Sequence, residues 1–85
     1  MKQFDYIIKD SLGIHARPAG LLVKTAGKFK SSVKLICNEK SADAKKLFAV
    51  MGLGVKHNSS VTVKADGSDE DEAIAELKNF FENNL

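Results

Sequence analysis

Apolar and polar positions alternate in three stretches of the chain, the pattern typical of strands that bury one face. The first covers residues 3–8, the second is "SVKLIC" at 32–37 and the third is "SVTVKA" at 60–65. A short run at 40–42, after the turn sequence "CNEK", predicts a fourth strand. The apolar positions of the three are Phe4, Tyr6 and Ile8, then Val33, Leu35 and Cys37, then Val61, Val63 and Ala65.

Two other stretches space their apolar residues as helices with one buried face do. The first covers 18–28 and begins at Pro18 or one or two residues earlier, because proline suits a first helical turn. The last covers about 69–83. It opens with "SDEDE", where Ser68 or Asp69 can cap free N–H groups and the acidic run suits the positive end of the helix dipole. The core-facing residues are Ala19, Leu22, Val23 and Ala26 with Phe29, then Ala73, Ile74, Leu77, Phe80 and Phe81.

A third helix is predicted within "DAKKLFAVMGLG", at 43–54, and its apolar residues are not confined to one face. At 100° per residue they spread over roughly 220°. Either part of this helix stands exposed as a docking patch, with Leu47, Phe48 and Met51 as its members, or the helix is short, distorted by Gly52 and Gly54, and mostly core.

The order of elements, βα, ββ, α, βα, predicts an α+β fold with helices on one face of an antiparallel sheet. With 85 residues and no linker or repeat, we expect one domain spanning 1–85. Such a chain is too short for two lobes around a deep cleft, so its functional site is expected on the surface.

Charge is distributed unevenly along the chain. Residues 1–67 hold twelve Lys and Arg against five Asp and Glu, a balance of +7, whereas residues 68–85 hold one against six, a balance of −5. A basic body can attract phosphate groups or acidic proteins, although scattered lysines are often simply solvated. Without Trp and with one Tyr, the chain offers little for stacking bases, so we expect no nucleic acid partner.

The single cysteine, Cys37, excludes an internal disulfide framework and fits a reducing compartment. No stretch reaches the apolar length of a membrane span, and "MKQFDYIIKD" has no signal-type apolar region. We therefore expect a cytoplasmic protein without membrane insertion. Cys37, His15 and His57 share no ligand spacing, so no metal or other cofactor is predicted. His57, before the third of the alternating strands, is interpreted as a turn residue.

The segment "GIHARPA", residues 13–19, carries the strongest chemical signal. If His15 precedes a helix, the free N–H groups of Ala16 and Arg17 point at whatever its imidazole carries and stabilise an anion. The Arg17 guanidinium matches phosphate oxygens bidentately. Imidazole is substantially neutral and nucleophilic near neutral pH, and phosphoryl transfer demands mainly positioning and charge stabilisation.

No glycine-rich phosphate loop, magnesium carboxylate cluster or Ser/His/Asp arrangement accompanies this segment. The residues therefore predict a phosphoryl carrier without independent turnover, rather than an enzyme. Spacing alone also allows His15 to be an ordinary surface or capping residue.

Over essentially its whole length the chain resembles the HPr family, the histidine-containing phosphocarriers of the bacterial sugar phosphotransferase system. The segment "GIHARPA" matches the active-site signature of the family, "FAVMGLGV" its second-helix region and "ADGSDEDEA" its final turn and helix. The resemblance implies an open-faced β-sandwich, in which three helices cover one face of a four-stranded antiparallel sheet in the order β-α-β-β-α-β-α.

The resemblance also implies a route for the phosphoryl group. His15 would accept it on Nδ1 from phosphorylated enzyme I, which phosphoenolpyruvate charges, and pass it to a sugar-specific enzyme IIA. Arg17 would neutralise the phosphate, and we expect the carrier to be a monomer. The face that docks both partners would consist of Gly20, Leu21, Lys24, Leu47, Phe48 and Met51.

One position departs from the family. Lys46 stands where many members carry a serine that a dedicated kinase phosphorylates, so this regulation is not expected here. The alternative hypothesis is a regulatory module that binds a transcription factor or metabolic enzyme through the same patch, and the retained His15 and missing serine argue against it. Lys45 and Lys46 would oppose the dipole if Asp43 caps the second helix, which leaves either attraction to acidic partners or ordinary solvation as their role.

Overall fold

The computed structural model describes all 85 residues and contains four strands and three helices. The strands are β1 (Lys2–Ile7), β2 (Ser32–Cys37), β3 (Lys40–Asp43) and β4 (Ser60–Asp66), and the helices are α1 (Ala16–Ala26), α2 (Leu47–Gly52) and α3 (Glu70–Asn84). All four predicted strands are present within one residue of their expected bounds. Helix α1 begins two residues before Pro18, as predicted, but ends two residues earlier than expected.

The strands form one antiparallel sheet in the order β1-β4-β2-β3. Strand β4 lies between β1 and β2, with Tyr6 opposite Val61 and Leu35 opposite Val63. The period-2 alternation places the predicted apolar positions of each strand on one face, and the residues between them, Ile7 and Ile36 included, stay exposed or half-buried. The α+β prediction of an open sheet covered on one side by three helices is therefore confirmed.

The core lies between the inner face of this sheet and the three helices, and it holds 20 buried apolar residues. Helix α3 contributes Ala73, Leu77 and Phe81, all fully buried. The Phe81 ring makes edge-to-face contacts with Phe4 and Tyr6 of β1, at centroid distances of 5.8 and 5.5 Å. No helix of the structure has both the length and the apolar character needed to cross a membrane.

The side-chain capping considered for two helices is not found, and neither Ser68 nor Asp69 caps α3. Asp69 immediately precedes α3, but its carboxylate accepts hydrogen bonds from Ser31 and from the Lys30 N–H rather than from the helix. Asp43 does not cap α2 either, because it ends β3 and accepts a hydrogen bond from the Lys45 N–H, closing a turn before the helix.

Candidate functional site

His15 occupies the N-cap position of α1, at the end of the loop that follows β1. Its backbone is extended, with φ −90° and ψ −177°, and its side chain makes no hydrogen bond to the helix. The imidazole is 38% exposed. His15 is therefore an accessible side chain at the amino end of a helix, and that side chain forms no capping bond.

The N–H groups at the start of α1 have no acceptor within the chain. The first main-chain hydrogen bond of the helix runs from the Ala19 N–H to the His15 carbonyl, at 3.0 Å, and Pro18 has no N–H. The N–H groups of Ala16 and Arg17 remain free, and no acidic residue lies in the first turn. This arrangement favours an anion beside His15.

An open depression of about 310 Å³ adjoins the imidazole. Arg17 is exposed and forms no ion pair, so its guanidinium is available to an incoming group. The structure thus brings His15 and Arg17 together around one concave surface, as the sequence predicted. The depression is lined by Asp10, His15, Arg17, Pro18, Leu21 and Asn84.

Asp10 and Asn84 were not predicted at this site. The Asp10 carboxylate lies 3.8 Å from His15 Nε2, and Asn84 comes from the far end of α3. The turn-like composition of "DSLG" signals a tight loop before His15. The return of this loop toward the imidazole depends on tertiary packing, as does the approach of Asn84. No sequence signal predicts either contact.

The predicted docking residues are distributed over two helices that pack against each other. On α1, Gly20 is half-buried, while Leu21 and Lys24 are exposed and follow Arg17 at intervals of four and seven residues. These intervals place them on one face of the helix. On α2, Phe48 is 87% exposed and Leu47 and Met51 are about two fifths exposed.

The wide apolar spread of α2 has a simple structural explanation. Val50 packs into the core together with Leu53, which follows the helix, while Leu47, Phe48 and Met51 point outward. We call these three side chains, together with Leu21 of α1, the apolar cluster. The role of the cluster in docking stays a prediction.

Two lysines precede α2, and the structure separates their roles. Lys45 donates a hydrogen bond from Nζ to the Phe29 carbonyl, at 2.7 Å, so it ties this turn to the segment after α1. Lys46 is the exposed N-cap residue of α2 and carries no side-chain capping bond. Of the two, only Lys46 is free of hydrogen bonds from its side chain.

The other candidate groups lie elsewhere. Cys37 is buried in β2, and His57 lies on an exposed turn with Nδ1 3.3 Å from the Asp10 carbonyl. No group of three or more His, Cys, Asp and Glu side chains is arranged to hold a metal ion.

Comparison with known proteins agrees with this geometry. The family model described as "PTS HPr component phosphorylation site" matches residues 2–83. The phosphocarrier protein HPr of Mycoplasma genitalium is 47% identical over 99% of this chain and 97% of its own length. That of Buchnera aphidicola is 48% identical over 94% of both chains.

Solved structures show the same architecture. A Mycoplasma histidine-containing phosphocarrier protein superimposes with a TM-score of 0.94 at 40% identity, covering 96% of this chain and 93% of the other. HPr from Thermoanaerobacter tengcongensis gives 0.93 at 41% identity, covering 98% and 93%. The chain belongs to the HPr family of phosphocarriers of the phosphotransferase system.

Proposed function

We propose that His15 carries a phosphoryl group on Nδ1, accepting it from phosphorylated enzyme I and passing it to a sugar-specific enzyme IIA. The observation that carries this proposal is an accessible imidazole at a helix start whose N–H groups have no acceptor in the chain. Because phosphoenolpyruvate, the ultimate donor, acts through enzyme I in the cytoplasm, we propose that the protein is cytoplasmic.

Phosphoryl transfer requires few groups from the carrier. In the accepting step the Nδ1 lone pair attacks phosphorus, the N–P bond forms, and the bond from phosphorus to the donor breaks with its electron pair leaving on the donor. The passing step reverses these roles. The free N–H groups of Ala16 and Arg17, together with the Arg17 guanidinium, stabilise the phosphoryl charge during each step. The partners supply the remaining groups, so the protein is a carrier rather than an enzyme with its own turnover.

Docking is assigned to the surface beside His15. The apolar cluster supplies contact area, and Lys24 supplies positive charge that would attract an acidic partner. Lys46 keeps a positive charge where many relatives carry a phosphorylatable serine, so no phosphate can be added at this position to repel such a partner. Because every group of the site comes from one chain, we infer that the carrier works as a monomer, although one relative of known structure is titled an HPr dimer.

The direct test is phosphorylation by enzyme I with labelled phosphoenolpyruvate. We expect an acid-labile, base-stable label on the wild-type protein and none on His15→Ala. His57→Ala is the matched control, because it removes the only other histidine and should still take up label on His15. A wild-type protein that takes up no label would contradict the proposal.

The exposure of Phe48, at 87%, also favours a second candidate, a regulatory module that binds a transcription factor or metabolic enzyme through the apolar cluster. One relative of known structure, 34% identical, is titled a catabolite repression protein of Bacillus subtilis. A partner whose binding is lost in Leu47→Asp and Met51→Asp but kept in His15→Ala would support this second function. A partner that needs His15 would contradict it.

A further inference from the structure

We propose that Asp10 is a positioning residue for the acceptor histidine. Its carboxylate faces Nε2 of His15, keeps the imidazole proton on that nitrogen, and so leaves the Nδ1 lone pair free for a phosphoryl group. The inference rests on the proposed function in one respect only, the choice of His15 as the acceptor.

The contact joins two partly buried side chains. Asp10 Oδ2 lies 3.8 Å from His15 Nε2, and the two side chains are 27% and 38% exposed. No other carboxylate lies within ion-pair distance of the imidazole, and Nδ1 of His15 has no hydrogen-bond partner in the chain. At 3.8 Å the contact is electrostatic rather than a direct hydrogen bond. Contacts of this kind commonly shorten when charge develops on the reacting group.

The position of Asp10 is fixed by its own hydrogen bonds. The second carboxylate oxygen, Oδ1, accepts from the Leu12 N–H at 2.8 Å. The Asp10 carbonyl accepts from the Gly13 N–H at 3.0 Å, and the Asp10 N–H donates to the Leu85 main-chain oxygen at 2.8 Å. Nδ1 of His57 lies 3.3 Å from the same carbonyl. The carboxylate is therefore held in place before any partner arrives.

Imidazole chemistry explains what such a carboxylate can do. A neutral imidazole carries one proton on either nitrogen, and only the form protonated on Nε2 offers a lone pair at Nδ1. When Nδ1 attacks phosphorus, the N–P bond forms and the leaving group departs with its electron pair. The ring has then given up its lone pair, and positive charge spreads to the Nε2–H that faces Asp10. The carboxylate thus selects the reactive form and stabilises the charge that develops.

The same carboxylate would repel an incoming phosphoryl anion, so the direction of its effect on rate is decisive. The experiment uses phosphoramidate as a small phosphoryl donor. Nδ1 displaces ammonia from phosphorus, and ammonia leaves with the electron pair of the broken P–N bond and takes up a proton. No protein partner is needed. The variants are Asp10→Asn, which keeps an acceptor for the Leu12 N–H, and Asp10→Glu, which keeps the charge.

Asp5→Asn is the matched control, because it removes the same charge from β1, where Asp5 accepts a hydrogen bond from the Thr62 hydroxyl. We expect Asp10→Asn to be phosphorylated about fivefold more slowly than wild type, the size expected for a partly exposed charge pair. Asp10→Glu should recover part of the loss, and Asp5→Asn should react at the wild-type rate. Nitrogen-15 NMR of His15 should show more proton on Nδ1 in Asp10→Asn alone.

An Asp10→Asn variant that reacts as fast as wild type or faster, with an unchanged proton distribution on His15, would overturn the proposal. The NMR comparison is made on the unphosphorylated protein, so it decides the point without any donor. If enzyme I fails to label a wild-type protein that phosphoramidate does label, the proposed function is wrong and the inference about Asp10 is not affected.

Discussion

The starts of helices α1 and α3 share the same unpaired main-chain N–H groups but differ in the charge of their first turns. Each leaves N–H groups without helical acceptors and carries the positive end of a dipole. At α3 the chain supplies its own anions, since Glu70, Asp71 and Glu72 fill the first turn. At α1 the first turn holds no acidic residue, and His15 and Arg17 stand there instead.

Carboxylates at the α3 start also accept hydrogen bonds from neighbouring segments of the chain. The Glu70 carboxylate accepts from the Gly67 N–H at 3.2 Å. Asp69 accepts from the Ser31 hydroxyl and from the N–H groups of Lys30 and Ser31, which ties the helix start to the segment before β2. These bonds to Ser31 and Lys30 lower the pKa of Asp69 from 3.8 to about 2. The carboxylates at the start of α3 therefore join the helix to neighbouring segments of the chain.

The difference shows that a helix start able to bind an anion can be recognised by the absence of acidic residues from its first turn. A helix whose first turn lacks acidic residues and whose N-cap does not bond to it remains able to bind an external anion. With a nucleophile and an arginine added, as at α1, such a helix start is where we propose that a transferable phosphoryl group binds.

The largest expected effect comes from making α1 resemble α3. In Arg17→Glu a carboxylate replaces the guanidinium in the first turn, so we expect the rate of phosphorylation by enzyme I to fall about a hundredfold or more. Thermal stability should hold or rise slightly, because an acidic residue near a helix start is favourable by about 0.3–1 kcal/mol. Labelling kinetics and thermal unfolding measure the two effects.

Lys34→Glu is the control for Arg17→Glu, since it makes the same charge change on the exposed face of β2, away from the helices and the proposed docking surface. It should slow labelling far less. Equal losses in the two variants would show that general charge, rather than the open helix start, governs transfer.

The second prediction concerns how the α1 start is placed. Gly13 has φ +69°, and a Cβ there would collide with the main chain at Val55 and Lys56. Gly13→Ala should therefore destabilise the fold by about 2–4 kcal/mol. It should also shift the loop that carries Asp10 and precedes His15.

Urea unfolding measures the stability loss, and phosphoramidate labelling measures the effect on the site. Gly20→Ala is the matched control, because nothing lies within 4 Å of a Cβ at that position. It should keep or slightly raise stability, because alanine is favoured over glycine inside a helix by up to about 1 kcal/mol. A Gly13→Ala protein as stable as wild type would mean that the α1 start is not held by this close approach.

Much of this contrast could be predicted from the sequence, because it depends on local patterns. The period-2 strands, the helix beginning near Pro18 and the acidic first turn of α3 are all determined by neighbours along the chain. The position of His15 before α1 follows from the same local signals. So does the wide apolar spread that exposes Phe48, since an excess of apolar positions on a short helix cannot all be buried.

The remainder depends on contacts between distant segments. The sequence offers Ser68 or Asp69 as the cap of α3, but the Asp69 carboxylate instead accepts from the Ser31 hydroxyl and from the N–H groups of Lys30 and Ser31. Asp10 reaches His15 through the conformation of a loop, and Asn84 reaches the same depression from the end of α3. No spacing in the chain encodes these distances.

The third prediction tests whether a donor protein must dock beside the start of α1. Phe48 is exposed in the free protein and is proposed to contact the donor protein. Truncating it should therefore affect transfer without affecting the fold. We expect Phe48→Ala to raise the KM for enzyme I about tenfold, the loss of one well-buried interface contact. Stability should change by no more than about 0.5 kcal/mol.

Phosphoramidate labelling of Phe48→Ala serves as its internal control, because that reaction needs no docking surface and should proceed at the wild-type rate. Ile7→Ala, at a position 57% exposed on β1, is a matched loss of exposed apolar area. A similar rise in KM for both variants would argue against docking at the apolar cluster.

The smallest effect is expected at Asp69, at the start of α3, and it depends on pH. Because the pKa of Asp69 in the folded protein is about 2, below its ordinary 3.8, the ionised carboxylate stabilises the fold fully above pH 3.8. That stabilisation is lost as the pH falls through about 2. Asp69→Asn should therefore lower the Tm by a few degrees at neutral pH, and the difference from wild type should shrink as the pH falls from 4 to 2.

Thermal unfolding of both proteins across this pH range measures the effect, and enzyme I labelling at neutral pH should be unchanged because Asp69 takes no part in the α1 site. Asp71→Asn is the control, since Asp71 lies in the same first turn with its side chain 82% exposed and pairs only with Lys2, at 3.6 Å. Its Tm at neutral pH should fall less than that of Asp69→Asn, because Asp71 contributes only a dipole interaction and an exposed ion pair. A Tm difference for Asp69→Asn that persists unchanged at pH 2 would show that the junction is held by packing rather than by the charge of the carboxylate.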